Sequence, residues 1–260
     1  MEQTAKNINT LGTFCGKRDI SELTSEQMRK TYGIEQADVM VLFGGSIMCG
    51  ADILAEAMKN SVAKKYAIVG GTGHTTETLR QKVNEAFPNI ITENLSEAEV
   101  FANYLKYKYD LEVDFLECKS TNCGNNITYL LELLKRNNIP FKSIILSQDA
   151  TMQHRMEAGL RKYVGEDIKI INYAVYSAKV IVKNSTLTYD KEIWGMWEMI
   201  RYISLLLGEI PRLTDDENGY GPLGKDFIAH VDVPDEVKHA FCELCNEYSE
   251  LIREANPLYA

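Results

Sequence analysis

The residues best equipped for chemistry fall in four short polar segments, each directly after an apolar run. They are Gly44-Gly45-Ser46, Gly70-Gly71-Thr72-Gly73-His74, the stretch from Glu117 through Ser120, Thr121, Asn122 and Asn125, and the stretch Gln148, Asp149, Thr151, Gln153 and Arg155. Glycine removes side-chain bulk, so backbone N–H groups can approach a phosphate, carboxylate or ribose. The competing reading is that these glycines only make tight turns. Neither known phosphate fingerprint is present. The position where a dinucleotide fingerprint needs its third glycine holds Thr76, and no Gly-Lys-Ser/Thr follows Gly73.

Ser120, Thr121 and Asn122 are helix-capping types. One cap needs one of them, and a run of three with Asn125 behind it suits a ligand rich in donors and acceptors. Asp149 is expected to cap the next helix, and Arg155 has the reach and charge to neutralise a carboxylate or phosphate. Glu97 and Glu117 are the carboxylates to test as acid, base or ribose ligand, with helix capping an equal alternative for Glu97. Cys123 reads better as a small buried thiol than as a nucleophile, because nothing in the spacing brings it a base. His154 reads as a surface or capping residue. Cys242 and Cys245 read as core thiols, since a structural zinc site would need two further ligands.

The elements that must position these residues follow a repeating rhythm. Apolar runs at 37–43, 66–69, 113–117, 143–147 and 168–173 read as strands. Helical patterns occupy 51–63, 76–87, 97–107, 123–136 and the stretch up to Tyr163. Strand, polar turn and helix in alternation predict an α/β fold: a Rossmann-like three-layer α/β/α arrangement around a mostly parallel sheet. The strands are continuously apolar, as expected of a sheet covered on both faces. Ligands of such sheets bind beyond the carboxyl ends of the strands, where the four polar segments lie. Residues 1–36 read as an N-terminal helical extension, 37–183 as the ligand-binding domain and 184–260 as a helical C-terminal subdomain. Within the last, one long helix is expected over 189–208. Its Trp194 and Trp197 are read as core, with a homodimer face as the alternative. A short apolar run at 227–231 precedes a final helix over 235–255.

Charge narrows the function classes. The chain has 260 residues, 28 Lys plus Arg and 37 Asp plus Glu, for a net charge of −9. That balance opposes a nucleic-acid backbone, and no basic patch offsets it. No run of about 18 apolar residues predicts a membrane span. The first residues lack a secretory pattern, and six scattered cysteines fit reduced thiols in the cytoplasm.

Two of the turns carry a resemblance. Ser120-Thr121-Asn122-Cys123-Gly124-Asn125-Asn126 and Gln148-Asp149-Ala150-Thr151-Met152-Gln153-His154-Arg155 resemble signature turns of the YdcF family, a group of unknown function that also includes SanA and ElyC. The run Gly208-Glu209-Ile210-Pro211-Arg212-Leu213, then Asp215-Asp216, Gly219-Tyr220-Gly221-Pro222 and Asp226-Phe227-Ile228, resembles the YdcF branch in particular. The resemblance implies a Rossmann-like domain and a nucleotide-like ligand in the matching turns, with S-adenosyl-L-methionine as the associated cofactor. Asn125 stands where the wider group often has Glu, and His154 where the branch usually has Arg. Acid–base chemistry at those positions is therefore not carried over. Three functions follow as expectations: a small-molecule-binding protein, with transferase activity toward an unidentified acceptor; an enzyme acting on a phosphorylated or pyrophosphate-bearing envelope precursor; and a non-catalytic ligand sensor.

Overall fold

The computed structural model describes residues 1–251. Its centre is a five-stranded parallel sheet in the order β3-β2-β1-β4-β5, built from β1 (Ala37–Phe43), β2 (Ala63–Val69), β3 (Phe115–Glu117), β4 (Ser143–Ser147) and β5 (Lys169–Asn172). Helices cover both faces, giving the Rossmann-like three-layer α/β/α fold. Alternation along each strand divides the core. Met40, Leu42, Ile68 and Ile145 face the layer holding α1 (Glu2–Cys15), α3 (Cys49–Lys59) and α5 (Glu97–Tyr109). Val39, Val41, Phe43, Ala67, Val69, Ile144 and Leu146 face α6 (Cys123–Arg136) and α7 (Gln153–Arg161). Each strand therefore buries side chains on both sides, which is why its sequence reads as a continuous apolar run.

The chain order sets the topological switch. β1 leads into α3 on one face, whereas β4 leads into α7 on the other, so a crevice opens between the carboxyl ends of β1 and β4. At the amino ends, Asp38 ties the same two strands, accepting hydrogen bonds from the N–H groups of Lys142 (2.7 Å) and Ser143 (3.1 Å).

Several expectations change. The helix predicted over 51–63 spans Cys49–Lys59, and residues from Ala63 onward belong to β2. The single long helix over 189–208 is absent. An antiparallel hairpin, β6 (Val180–Lys183) and β7 (Thr186–Tyr189), comes first. An irregular segment, 190–198, with a turn at Trp194-Gly195, follows, and α8 (Met199–Leu213) begins only after it. Gly195, at φ +82°, breaks the helical periodicity that the aromatic residues suggest. Trp194 and Trp197 thus lie on a strap rather than on a helix. The hairpin also straddles the boundary expected at 183/184. The run 227–231 forms no strand, and α9 (Asp235–Glu247) ends earlier than expected; residues 252–255 lie outside the described residues. Cys242 is exposed and Cys245 half-buried, so neither is a core thiol. Among the described residues, no helix is long and apolar enough to cross a membrane.

Candidate functional site

The four polar segments do converge on the carboxyl edge of the sheet, but they divide into two regions with different surroundings. A third group serves only to hold the edge together.

The edge-holding group begins with Glu97. It lies in the first turn of α5, buried, and its Oε1 accepts hydrogen bonds from the hydroxyls of Thr75 (2.8 Å) and Thr76 (3.0 Å). Burial holds its carboxyl above the usual carboxylate range, against the opposing pull of those two hydroxyls. Helix capping is done instead by Ser96 and Glu99, which form a reciprocal capping box. Gly44 and Gly70 exist for Glu97 and for each other. A Cβ on Gly44 would stand 2.5 Å from Glu97 Oε2, and one on Gly70 would stand 2.9 Å from the Gly44 Cα. These two glycines admit a buried side chain and a close strand approach, not a ligand phosphate. Ser120 Oγ accepts from the Gly71 N–H at 3.1 Å, and the Glu117 carboxylate accepts from the N–H groups of Lys119 (2.7 Å) and Ser120 (3.2 Å). Gly71, Glu117 and Ser120 therefore join the loops after β2 and β3. Thr72, Gly73 and His74 are exposed on the first of these loops, and Thr121 on the second.

The first region is the switch crevice. Here Asp149 is not a helix cap: the residue at the start of α7 is Met152, whose side chain caps nothing. Asp149 is 4% exposed. Its Oδ1 accepts from the Thr151 N–H (2.9 Å), the Thr151 hydroxyl (2.9 Å) and the Tyr176 hydroxyl (2.7 Å); its Oδ2 accepts from the Trp197 indole N–H (2.7 Å). Gln153 is likewise structural, accepting from the Gln148 N–H and donating to Leu146 O and Asn172 Oδ1. The strap lies across the opening, with Lys82 Nζ donating to Gly195 O at 2.8 Å. Beneath it, Ser46 Oγ and Gln148 Nε2 are buried without a hydrogen-bond partner among the described residues, as is Ser147 Oγ at the end of β4. Gly45 stands beside Gln148.

The second region is an open recess of about 280 Å³ between α6, α7 and the loop at 220–228. Asn122, Asn125 and Arg155 line it, together with Cys123, Thr128, Tyr163, Tyr220 and Phe227. Asn122 is the α6 cap that its residue type predicts: its Oδ1 accepts from the Asn125 N–H at 2.9 Å. The first turns of α6 therefore line one side of the recess, with the helix's free N–H groups and positive dipole end at that side. Arg155 does not await a ligand anion, as the sequence reading allowed. Its Nε and Nη2 donate to the two carboxylate oxygens of Glu209 on α8 at 2.6 and 3.0 Å. The pair is largely buried, with side chains 13% and 6% exposed, and Arg212 Nη1 stands 3.5 Å from Glu209 Oε1 as a second cation on the same carboxylate. Tyr220 and Phe227 pack edge to face at 5.3 Å to form an aromatic wall. Cys123 is half-buried rather than buried, with Sγ 3.9 Å from Met152 Sδ. His154 lies outside the recess, packed on Phe14 with Nδ1 2.9 Å from Phe14 O, and burial lowers its pKa.

Sequence reasoning missed Thr128, Lys82 and the strap. The C-terminal run from Gly208 to Ile228 drew in Glu209, Tyr220 and Phe227 through the resemblance alone, but spacing could not say which turn they meet. A larger recess of about 720 Å³ runs along α1, β6 and α9 and includes none of the sequence-predicted site residues. No family model matches this chain.

Proposed function

We propose that this protein binds a nucleotide-like small molecule in the recess at the α6 N-terminus, with S-adenosyl-L-methionine the first candidate. The observation that carries the reading is the composition of that recess. A capped helix N-terminus, amide side chains at Asn122 and Asn125, and the Tyr220–Phe227 wall enclose a volume near the lower end of small-molecule pockets, about 300 Å³ and above. The helix end suits a carboxylate or ribose hydroxyl, and the aromatic wall suits a base. The volume fits part of such a ligand, with the remainder resting on the exposed rings of Tyr163 and Phe227. The resemblance of the two turns and the C-terminal run to the YdcF family supports the same ligand class.

The charge balance favours a zwitterion over a polyphosphate. Arg155 is matched by Glu209 and cannot offer a net positive charge without breaking a buried pair. A transferase role needs an acceptor, and the geometry favours none.

Thermal unfolding with S-adenosylmethionine, its demethylated product, ATP and NAD tests the reading. A ligand that binds only the folded state raises its stability by about 2.7 kcal/mol at a hundredfold excess over Kd. Stabilisation by the first two and little by ATP is expected. No shift with millimolar S-adenosylmethionine would remove it as the ligand.

A further inference from the structure

We propose that the cavity at the carboxyl end of α1 is a site for a small α-amino acid, held as a zwitterion between Arg18 and Asp19 with the Tyr202 hydroxyl as a third contact. The cavity, of about 340 Å³, opens between the last turn of α1, the 17–19 turn, the 176–178 segment and Tyr202 of α8. That volume is at the lower end of small-molecule sites. The cavity shares no lining residue with the recess at the start of α6, and neither site depends on the other.

Charge is the first observation. Arg18 and Asp19 are half-buried and both line the cavity, and neither belongs to an ion pair among the described residues. The other cation there, Lys17, is taken by Glu157. Arg18 is fixed without a counter-ion: its Nε donates to Ala174 O at 2.8 Å, and its guanidinium carbon lies 4.2 Å from the Tyr173 ring centroid. The stack and the Nε bond set the guanidinium plane and leave its two amino groups for a carboxylate, whose two oxygens fit the fork. Asp19 is anchored as firmly. Its Oδ2 accepts from the Asn172 N–H at 2.7 Å and from Asn172 Nδ2 at 3.0 Å, and Tyr32 also bonds to the carboxylate. A cation and a carboxylate that share a cavity without pairing complement a ligand that carries both charges.

Tyr202 is the second observation. It is 2% exposed and lines the cavity, and no group among the described residues donates to its hydroxyl or accepts from it. That hydroxyl stands over Gly12, where a Cβ would approach it to 2.6 Å. Its partner must come from the cavity, and a buried hydroxyl left without one costs free energy. The helix end is the third. Gly12, Thr13 and Gly16 bring the last turn of α1 to the cavity wall. The free carbonyls and negative dipole end of that turn favour an ammonium group and oppose a phosphate dianion.

Thermal unfolding and calorimetric titration of the full chain with L-alanine, L-serine and L-leucine test the site, with propionate and inorganic phosphate as controls. At least one of the amino acids should bind saturably at millimolar concentration, and the controls should not. Arg18→Met removes the charged partner and should weaken that binding by about tenfold or more. Tyr202→Phe should weaken it by about threefold or more, yet leave the unliganded protein at least as stable as wild type, because the deleted hydroxyl has no partner in the fold. Should Arg18→Met fail to fold, Tyr202→Phe alone carries the test. Thr128→Trp, which fills the recess, should leave amino-acid binding unchanged. If Thr128→Trp abolishes it while the Arg18 and Tyr202 variants bind as wild type does, the ligand sits in the recess and the proposal fails. Equal binding of propionate or phosphate would reduce the cavity to an anion pocket and overturn the proposal, as would no binding of any of the three amino acids.

Discussion

The crevice and the recess lie on the same edge of one sheet, yet they are built in opposite ways. The crevice is where the strand order alone would place a ligand, and it is filled by the chain's own Trp197 and Gly195. The recess lies between two helices of the same face, with the 220–228 loop as one wall, and it opens to solvent. Buried donors without partners remain in the crevice, whereas the charges at the recess floor are already paired. Topology therefore selects the edge, and the segments that arrive later in the chain decide which part of it is accessible.

The largest expected effect tests how strongly the recess floor is tied to α8. Arg155→Met leaves buried Glu209 with only its longer contact to Arg212 at 3.5 Å and should cost up to about 3–5 kcal/mol in denaturant unfolding. Adding Glu209→Leu should recover most of that loss; a double variant no more stable than the single would break the comparison, because the floor would then depend on more than charge pairing. Next is Gly195→Ala, which forces an alanine into a left-handed conformation and should cost about 1–3 kcal/mol. A neutral result would mean that the strap is not seated as described. Asn122→Ala removes the α6 cap and should cost about 1 kcal/mol, and it should weaken recess binding as well. A stability loss without a binding loss would confine Asn122 to capping.

The smallest effect concerns Glu97, below both regions. Its folded-state pKa is raised by burial, so its carboxyl favours the folded state most below the unfolded value, and that contribution is lost as pH rises through the folded value. Glu97→Gln keeps an acceptor for Thr75 and Thr76 and does not titrate. Its Tm should therefore gain on wild type as pH is raised from about 4 to about 7. Parallel Tm curves for the two proteins would contradict the burial effect.

The fold was legible because continuous apolar runs and helical periods are local signals. Ala37–Phe43 appears at its expected bounds, and α6 begins at Cys123 because Asn122 caps it. The strap was not legible, because Trp194, Trp197 and Ile193 have helical spacing, and the left-handed conformation of Gly195 and the non-helical backbone of Glu198 separate them from α8. The edge was legible in outline, but partner choice was not. Arg155 was identified as an anion-binding residue correctly in type, yet its anion is Glu209, 54 positions later in the chain. Glycines at Gly44 and Gly70 signalled close approach, but spacing could not show that the approaching group is Glu97.

The most direct test of the central claim is calorimetric titration of S-adenosylmethionine into wild type and Thr128→Trp. Thr128 is half-buried on the recess side of α6, and its hydroxyl bonds only to carbonyls of its own helix, so the replacement fills the cavity without breaking a tertiary tie. The account predicts saturable binding to wild type and at least about tenfold weaker binding to the variant, equivalent to about 1.4 kcal/mol. Equal affinity in the two proteins, or no heat with wild type at millimolar ligand, would contradict it.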